Sequence, residues 1–308
     1  MTAARILVPL SVTASMVSAG TSIAEPDLSI GEAAWAAGTA YTPGQRVTHS
    51  GSVWEAVAAS TGVTPGTDGT KWLRFGPSNR MAPFDEYTTT PAGSTTSLTF
   101  VLRPGFFNAI RLDGLVGSAY SITLKDAPGG AVVNSWTGDL WEQAIGMYEL
   151  LFQPLRYLKS LSFDGIGIYP DPELTITISA STGAPVAVGT IMVGDWRSLI
   201  GNANWGGVVR GASAQRKSYT YWDEKPDGTY SIVRRPARRD VQCQVVIDAH
   251  EAMYTDALLD EVLDRLVAFE ATDLPRYGYL NTVGFVSGSI ADDTSANARL
   301  DLQIKGSI

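Results

Sequence analysis

Short runs of alternating apolar and polar residues, separated by turns rich in glycine and proline, recur along most of this chain. The clearest are SAYSITLKDA at residues 118–127 and LTITISAS at residues 174–181, and DAPGGA at residues 126–131 is typical of a hairpin turn. Successive side chains of a strand point to opposite faces, so this alternation predicts antiparallel strands with one buried face. The sequence therefore predicts a mainly β, multidomain fold made of a small β module, an antiparallel β-sandwich and a C-terminal α+β unit.

Changes of composition along the 308 residues predict four parts, because the chain is long for a single domain. Residues 1–30 would form an N-terminal arm with a strand and a linker, and residues 31–76 a small aromatic β module. Residues 77–200 carry the alternating runs of the β-sandwich. Residues 201–308 would form the α+β unit, which we expect to serve in assembly.

The N-terminal segment MTAARILVPLSVTASMVSAGTSIAEP has two interpretations. One arginine, an apolar run and small residues are also found in secretory signal peptides. However, Pro9, Ser11 and Thr13 interrupt the apolar run, which is too short and too polar to span a membrane. We therefore expect an uncleaved arm that contains a strand, and no membrane insertion.

One segment of the C-terminal part, HEAMYTDALLDEVLDRLVAFEAT at residues 250–272, has the periodicity of a helix. Its apolar residues at helical spacing are Leu258, Leu259, Val262, Leu266 and Phe269. Asp248 and Glu251 stand at the spacing of a capping box. Strand-like segments on both sides give a β-β-α-β-β order.

Charge and cysteine content limit the classes of partner. The formal net charge is −8, which argues against nucleic acid, because phosphate contacts need a basic surface. The single cysteine, Cys243, excludes an intrachain disulfide and a thiolate metal cluster. It alternates within VQCQVV, which favours a buried thiol on a strand over a nucleophile.

Candidate catalytic residues are few. His49 and His250 are the two histidines, and a Ser-His-Asp or Cys-His site would need one of them. The segment SFDGIGIYPDPE at residues 162–173 is partly similar to the acidic strand-end motif of chitinase barrels, with Asp164 and Asp171 as candidate carboxylates. Gly167 and other non-acidic residues occupy the motif's middle positions, so the linked carboxylates that would tune the acid are missing. We therefore predict no catalytic residue, no metal site and no cofactor.

Two neighbouring segments combine positive charge with aromatic residues. RRPARRD at residues 234–240 is a basic cluster, which could face an acidic neighbouring subunit, an anionic glycan or only solvent. YTYWDEKPDGTY at residues 219–230 predicts a hairpin around the turn KPDG. Its aromatic side chains could pack across the strands or bind another protein.

The segment AWAAGTAYTPGQRVTHSGSVWEAVAASTGVTPGTDGTKWLRFG, residues 34–76, resembles the small chitin-binding type of carbohydrate-binding module. The positions that carry the resemblance are Trp35, Tyr41, Gly44, Val47, Trp54, Ala56, Pro65, Gly66 and Trp72. In that family, adjacent exposed aromatic rings form the platform on which sugar faces stack. Here Ala58 and Ala59 stand at the platform positions. Sugar contact would then fall to Tyr41, Trp54 and Trp72, each of which could instead be a core residue.

The order of the segments along nearly the whole chain resembles tail or baseplate proteins of tailed bacteriophages that embed such a module. The order runs from the arm and module through LRPGFFNAIRLDGL at residues 102–115 and VAVGTIMVGDWRSLIG at residues 186–201 to the α+β end. The resemblance implies a structural virion protein that is assembled in the host cytoplasm. Other tail or baseplate proteins would be its partners, with copies of itself in a trimer or another ring.

Two further functions follow from the same residues. The chain could attach the particle to a host-surface glycan through Tyr41, Trp54 or Trp72, which is compatible with a structural role. A different class is a secreted or cell-surface polysaccharide-active enzyme that uses Asp164 or Asp171 and carries the module as an accessory.

Overall fold

The computed structural model describes residues 4–87, 90–141, 146–152, 157–200, 207–272 and 274–307. Among the described residues strands far outnumber helices, so the mainly β fold class is confirmed. The chain forms two compact units. The terminal unit consists of residues 1–9 and 194–308, and the middle unit of residues 10–193. The four-part division of the sequence stays a prediction.

The strands and helices are short and follow one another closely. The strands are β1 (Arg5–Pro9), β2 (Ala40–Tyr41), β3 (Arg46–His49), β4 (Ser52–Ala56), β5 (Ser60–Thr61), β6 (Trp72–Pro77), β7 (Ala92–Thr95), β8 (Ser97–Leu102), β9 (Ala109–Asp113), β10 (Ala119–Lys125), β11 (Val132–Asp139), β12 (Ser160–Phe163), β13 (Glu173–Ser179), β14 (Pro185–Val188), β15 (Thr190–Ser198), β16 (Gly207–Val208), β17 (Ser213–Ser218), β18 (Tyr221–Glu224), β19 (Tyr230–Val233), β20 (Ala237–Asp248), β21 (Leu266–Glu270), β22 (Thr282–Asp292) and β23 (Asn297–Gly306). The α-helices are α1 (Met147–Phe152) and α2 (Ala252–Val262), and short 3-10 turns lie at Ala14–Met16, Leu28–Ile30, Ala82–Phe84, Ala249–Glu251 and Pro275–Leu280. No helix in the described ranges is long and apolar enough to cross a bilayer.

The terminal unit is built on an antiparallel sheet in the order β15–β1–β21–β22–β23–β20–β16, and β17 also pairs with β20. The strand expected in the N-terminal arm is β1, which is hydrogen-bonded on both edges, to β15 and to β21. The helix α2 packs against β22. Alternate side chains of β20 and β23, such as Val245 and Leu300, point into the apolar core beneath α2.

The predicted C-terminal helix is too long, and its end is a correction to the sequence interpretation. The structure ends α2 at Val262 and places Leu266 and Phe269 on the buried strand β21. Asp264, with φ of 58°, lies in the left-handed region, which turns the chain out of the helix. The apolar residues of α2 continue at helical spacing into the fully buried strand β21. The periodicity of the apolar residues therefore did not distinguish the helix from the strand. The capping box is also wrong, since the Asp248 side chain makes no capping hydrogen bond.

The middle unit contains a four-stranded antiparallel sheet in the order β11–β10–β13–β8, the pair β14–β7, and the run β12–β9–β15. The hairpin β10–β11 turns at residues 126–131, as the sequence predicted. Apolar residues of these sheets share one core, in which Phe100, Ile110, Ile122 and Ile176 are fully buried. The sequence alternation therefore matches the observed burial of β10 and β13.

The small β module lies within the middle unit as two small sheets, β3–β4–β6 and β2–β5. Its core is the buried set Tyr41, Val47, Ala56 and Trp72. A bulge interrupts the pairing of β4 with β6, because Val53 pairs with Gly76 and Trp54 with Arg74. Phe75 is the extra residue of that bulge.

Candidate functional site

Two of the predicted sugar-contact residues, Tyr41 and Trp72, lie in the core of the small module. Trp72 is 2% exposed, and its indole N–H donates to the Val63 carbonyl at 2.8 Å. Tyr41 meets it edge-on with ring centroids 5.2 Å apart, and the Tyr41 hydroxyl accepts from the Ala36 N–H at 2.8 Å. Protein atoms therefore occupy the surroundings of both rings, and their role in sugar contact stays a prediction.

Trp54, the third predicted contact, is half-buried on β4. Its indole N–H donates to the His49 carbonyl at 3.2 Å. Gly66 closes over the ring, since a Cβ at this glycine would lie 3.2 Å from Cη2 of Trp54. Gly66 has φ of +90°, so both its backbone and this contact favour glycine. Trp54 is thus fixed at its indole nitrogen and at one ring edge, and part of its surface meets solvent.

Phe75 is an exposed aromatic residue of the small module that the sequence interpretation did not single out. It is 58% exposed, beside the 59% exposed Leu73. The Arg46 guanidinium lies 3.5 Å from the centre of its ring, and Arg46 is also ion-paired with Glu55 at 2.8 Å. A cation held over an aromatic face is attracted by the ring quadrupole. Phe75 lies on the outward face of β6, which Leu73 also occupies, and the buried Trp72 lies on the other face.

Residues 213–240 form a long hairpin, called here the hairpin arm. Its base is the ladder of β17 and β20, which ends at the pair Ser218–Ala237. Its tip is the separate ladder of β18 and β19, around the predicted turn at residues 225–228. Pro236 lies between the two ladders and cannot donate a ladder hydrogen bond.

The tip of the hairpin arm carries apolar side chains in solvent. Every residue of β18 and β19 is exposed, including those with large apolar side chains: Tyr221 (56%), Trp222 (61%), Tyr230 (61%), Ile232 (39%) and Val233 (50%). The rings of Trp222 and Tyr230 pack on each other with centroids 5.5 Å apart. Cross-strand aromatic packing and surface exposure therefore occur together in this segment.

The base of the hairpin arm places cations opposite cations. Arg216 pairs with Arg239 across the ladder, and Lys217 pairs with Arg238. Like charges directly opposite each other destabilise a strand pair. Arg238 is compensated by Asp240 at 3.0 Å, and Arg239 donates to the Tyr279 carbonyl. Within the described residues, Arg216 has no ion pair.

The other residues singled out by sequence lie on different elements of the fold. Asp164 and Asp171 are exposed in the loops between β12 and β13. His49 ends β3, and His250 lies in the 3-10 turn before α2. Cys243 is a buried strand residue, as predicted, and burial raises the pKa of its thiol to about 12. Among the described residues, no three His, Cys, Asp or Glu side chains come together as metal ligands.

The terminal unit also carries a polar groove of about 730 Å³ along β20, β22 and β23. Its polar side chains are Arg210, Ser213, Gln242, Gln244, Ser287, Ser289, Asp301 and Gln303. The groove offers hydrogen-bonding groups, and no aromatic ring lines it in the described residues. It therefore lacks a stacking surface for a sugar.

No family model, curated protein or solved structure matches this chain. The surfaces just described and the resemblances in the sequence are therefore the grounds for a functional proposal.

Proposed function

We propose that this chain is a structural, non-enzymatic subunit of a bacteriophage tail or baseplate, carried in the virion after assembly in the host cytoplasm. The bacteriophage class is supported by the order of its segments: an arm, a small module, a sandwich and an α+β end. The role as a subunit is supported by surfaces that suit contact with other proteins. Its partners would be other tail or baseplate proteins and further copies of itself.

The hairpin arm is the observation that most favours a subunit role. An isolated two-stranded hairpin is only marginally stable in water, yet the tip of the arm pairs as a ladder of its own and exposes five large apolar side chains. Exposed aromatic clusters of this kind mark contact surfaces between proteins. The helix α1 adds a second such surface, where Met147, Tyr148, Leu151 and Phe152 are each at least 63% exposed.

Purified phage particles from the strain that encodes this chain provide the test. We expect mass spectrometry to detect the chain in particles at a fixed ratio to the known tail proteins, and immunogold labelling to locate it on the tail. Particles purified from a strain lacking the gene are the control for the antibody. Intact, infectious particles that never contain the chain would contradict the proposal.

We also propose that the small module is the part of the subunit that meets a host-surface glycan. This is supported by its resemblance to a carbohydrate-binding module, by the partly exposed ring of Trp54 and, on the other face of the sheet, by the exposed side chains of Leu73 and Phe75. A glycan array and sedimentation with host envelopes would compare the wild type with Trp54→Ala and Phe75→Ala. Trp222→Ala on the hairpin arm is the matched control, because it removes an exposed aromatic side chain outside the module. Binding that is absent from the wild type, or equal in all four proteins, would exclude this role.

A further inference from the structure

We infer that the hairpin arm of one copy binds the acidic outer face of α2 on a second copy. The inference rests on the proposed role of the chain as a subunit of a multi-copy assembly, and it names the two surfaces that join. Each is an open surface of the terminal unit, and each matches the other in charge and in apolar content.

The hairpin arm is a positive surface on a negative chain. Residues 213–240 hold seven Lys or Arg against four Asp or Glu, whereas the whole chain has a net charge of −8. Arg216, Arg234 and Arg235 are exposed and have no ion pair among the described residues. Lys217 and Arg238 instead lie near the ring of Tyr219, at 5.8 and 5.5 Å from its centre. An anionic surface placed here would gain attraction from several cations at once.

The outer face of α2 is the complementary surface. Residues 248–264 contain six Asp or Glu and no Lys or Arg. Asp256, Asp260 and Glu261 are exposed along the helix, and none has an ion pair among the described residues. Met253 and Tyr254 are exposed on the same helix, at 86% and 44%, and the Tyr254 hydroxyl accepts a hydrogen bond from Arg197, which is ion-paired with Asp195. The helix therefore offers apolar side chains among acidic ones, and the hairpin arm offers apolar side chains beside basic ones.

The like-charge pairs at the base of the arm give a second reason for an acidic partner. Arg216 faces Arg239 across the ladder, and Lys217 faces Arg238. Asp240 is ion-paired with Arg238, and the Tyr279 carbonyl accepts a hydrogen bond from Arg239. The positive charge on the β17 side of the ladder is therefore unbalanced. Carboxylates from α2 of a second copy would reduce the repulsion.

An arm-to-helix contact joins different surfaces of the two copies. Such a contact can repeat around a ring, or can occur twice in a two-fold dimer. The expected result is therefore a defined oligomer of the full chain whose association weakens with salt, because screening lowers attraction between exposed charges.

Charge reversal on each surface tests the inference by sedimentation velocity of the full chain at about 0.05 M and about 0.5 M salt. The arm variant is Arg234→Glu with Arg235→Glu, and the helix variant is Asp256→Arg with Asp260→Arg. We expect the affinity of self-association to fall about tenfold or more in each variant alone, because opposed like charges replace attraction. An equimolar mixture of the two variants should regain association, since each reversed surface then has an opposite surface on the other protein.

Two matched control variants change the net charge by the same amount at residues outside the hairpin arm and α2. Lys159→Glu with Lys305→Glu matches the arm variant, and Glu86→Arg with Asp139→Arg matches the helix variant. All four of these residues are exposed. We expect both controls to associate like the wild type, and circular dichroism should show that every variant remains folded.

Several outcomes would overturn the inference. A wild type that stays monomeric at low salt is one, and a mixture of variants that fails to regain association is another. Arm variants that lose binding to heparin while the wild type stays monomeric would assign the arm to an anionic glycan instead. These results concern self-association in solution, so they are distinct from the presence or absence of the chain in phage particles.

Discussion

At the scale of single residues, Cys243 shows how position on a strand determines chemistry. Its side chain points into the core of the terminal unit, and burial raises the pKa of the thiol to about 12. We expect a thiol reagent such as Ellman's to leave the native protein unmodified at about pH 8, because thiolate is the reactive form. The same reagent should label one thiol per chain after unfolding in guanidinium. Rapid stoichiometric labelling of the native protein would contradict this placement.

Glu173 on β13 gives a prediction about acid stability. It accepts from Lys125 at 2.8 Å and from Arg103 at 3.1 Å, and the hydrogen bond from Lys125 is the main cause of a pKa below its ordinary value of 4.5. A carboxylate with a lowered pKa stabilises the fold above its unfolded-state pKa, and this contribution is lost as pH falls through the lower folded-state value. We expect Glu173→Gln to reduce the free energy of unfolding near neutral pH by about 1 kcal/mol or less.

The measurement for Glu173→Gln is urea unfolding at several pH values. The difference from the wild type should shrink as the pH falls below 4.5, because the wild-type carboxylate is then protonated as well. Thr137→Ala, at an exposed residue without charge on β11, is the control and should show no such trend. A difference between Glu173→Gln and wild type that is constant with pH would contradict the role assigned to the charge.

At the scale of elements, the small module depends on Trp72 far more than the hairpin arm depends on Trp222. Trp72 is buried in a four-residue core, so Trp72→Ala should cost about 3–5 kcal/mol through lost contacts and a cavity. Trp222 is 61% exposed, and Trp222→Ala should change the free energy of unfolding by about 0.5 kcal/mol or less. Hydrogen exchange of the amides in β3, β4 and β6 would report the effect of Trp72→Ala, and exchange of the amides in β18 and β19 the effect of Trp222→Ala. Unchanged protection of β3, β4 and β6 in Trp72→Ala would contradict the assigned packing.

The sequence predicted elements well where alternation and a turn occurred together. The hairpins β10–β11 and β18–β19 were both expected, because turn residues separate two alternating runs. It failed at Leu266 and Phe269, where apolar spacing suited a helix and the left-handed Asp264 ended it. It also missed Phe75, although alternation from the buried Trp72 places Phe75 on the outward face of β6. The exposure of the hairpin arm depends on what packs beside it, which alternation within one segment does not encode.

At the scale of the whole molecule, the terminal unit requires the first residues of the chain. β1 pairs with β15 and β21, and Ile6 and Leu7 are fully buried. Removal of residues 1–9 would leave two strand edges unpaired and an apolar gap in the sheet. We expect the shortened chain to lose amide protection in β15 and β21, measured by hydrogen exchange, and a synthetic peptide of residues 1–9 to restore it.

A peptide with Ile6→Asp and Val8→Asp is the control, because both side chains face the core of the terminal unit. It should restore nothing. Protection of β21 that survives the removal of residues 1–9 would contradict the central position of β1.

The position of β1 also has a consequence for biosynthesis. Arg5 and its partner Glu270 are 265 residues apart, so β1 is synthesised well before β21. At the usual pace of translation, this strand waits roughly 15 to 50 seconds for β21. During that interval the middle unit, residues 10–193, has all its own residues available and can fold first. The apolar run ILV of β1 meanwhile stays without its second neighbour, so chaperones that shield nascent strands should raise the yield of folded protein and leave its free energy of unfolding unchanged.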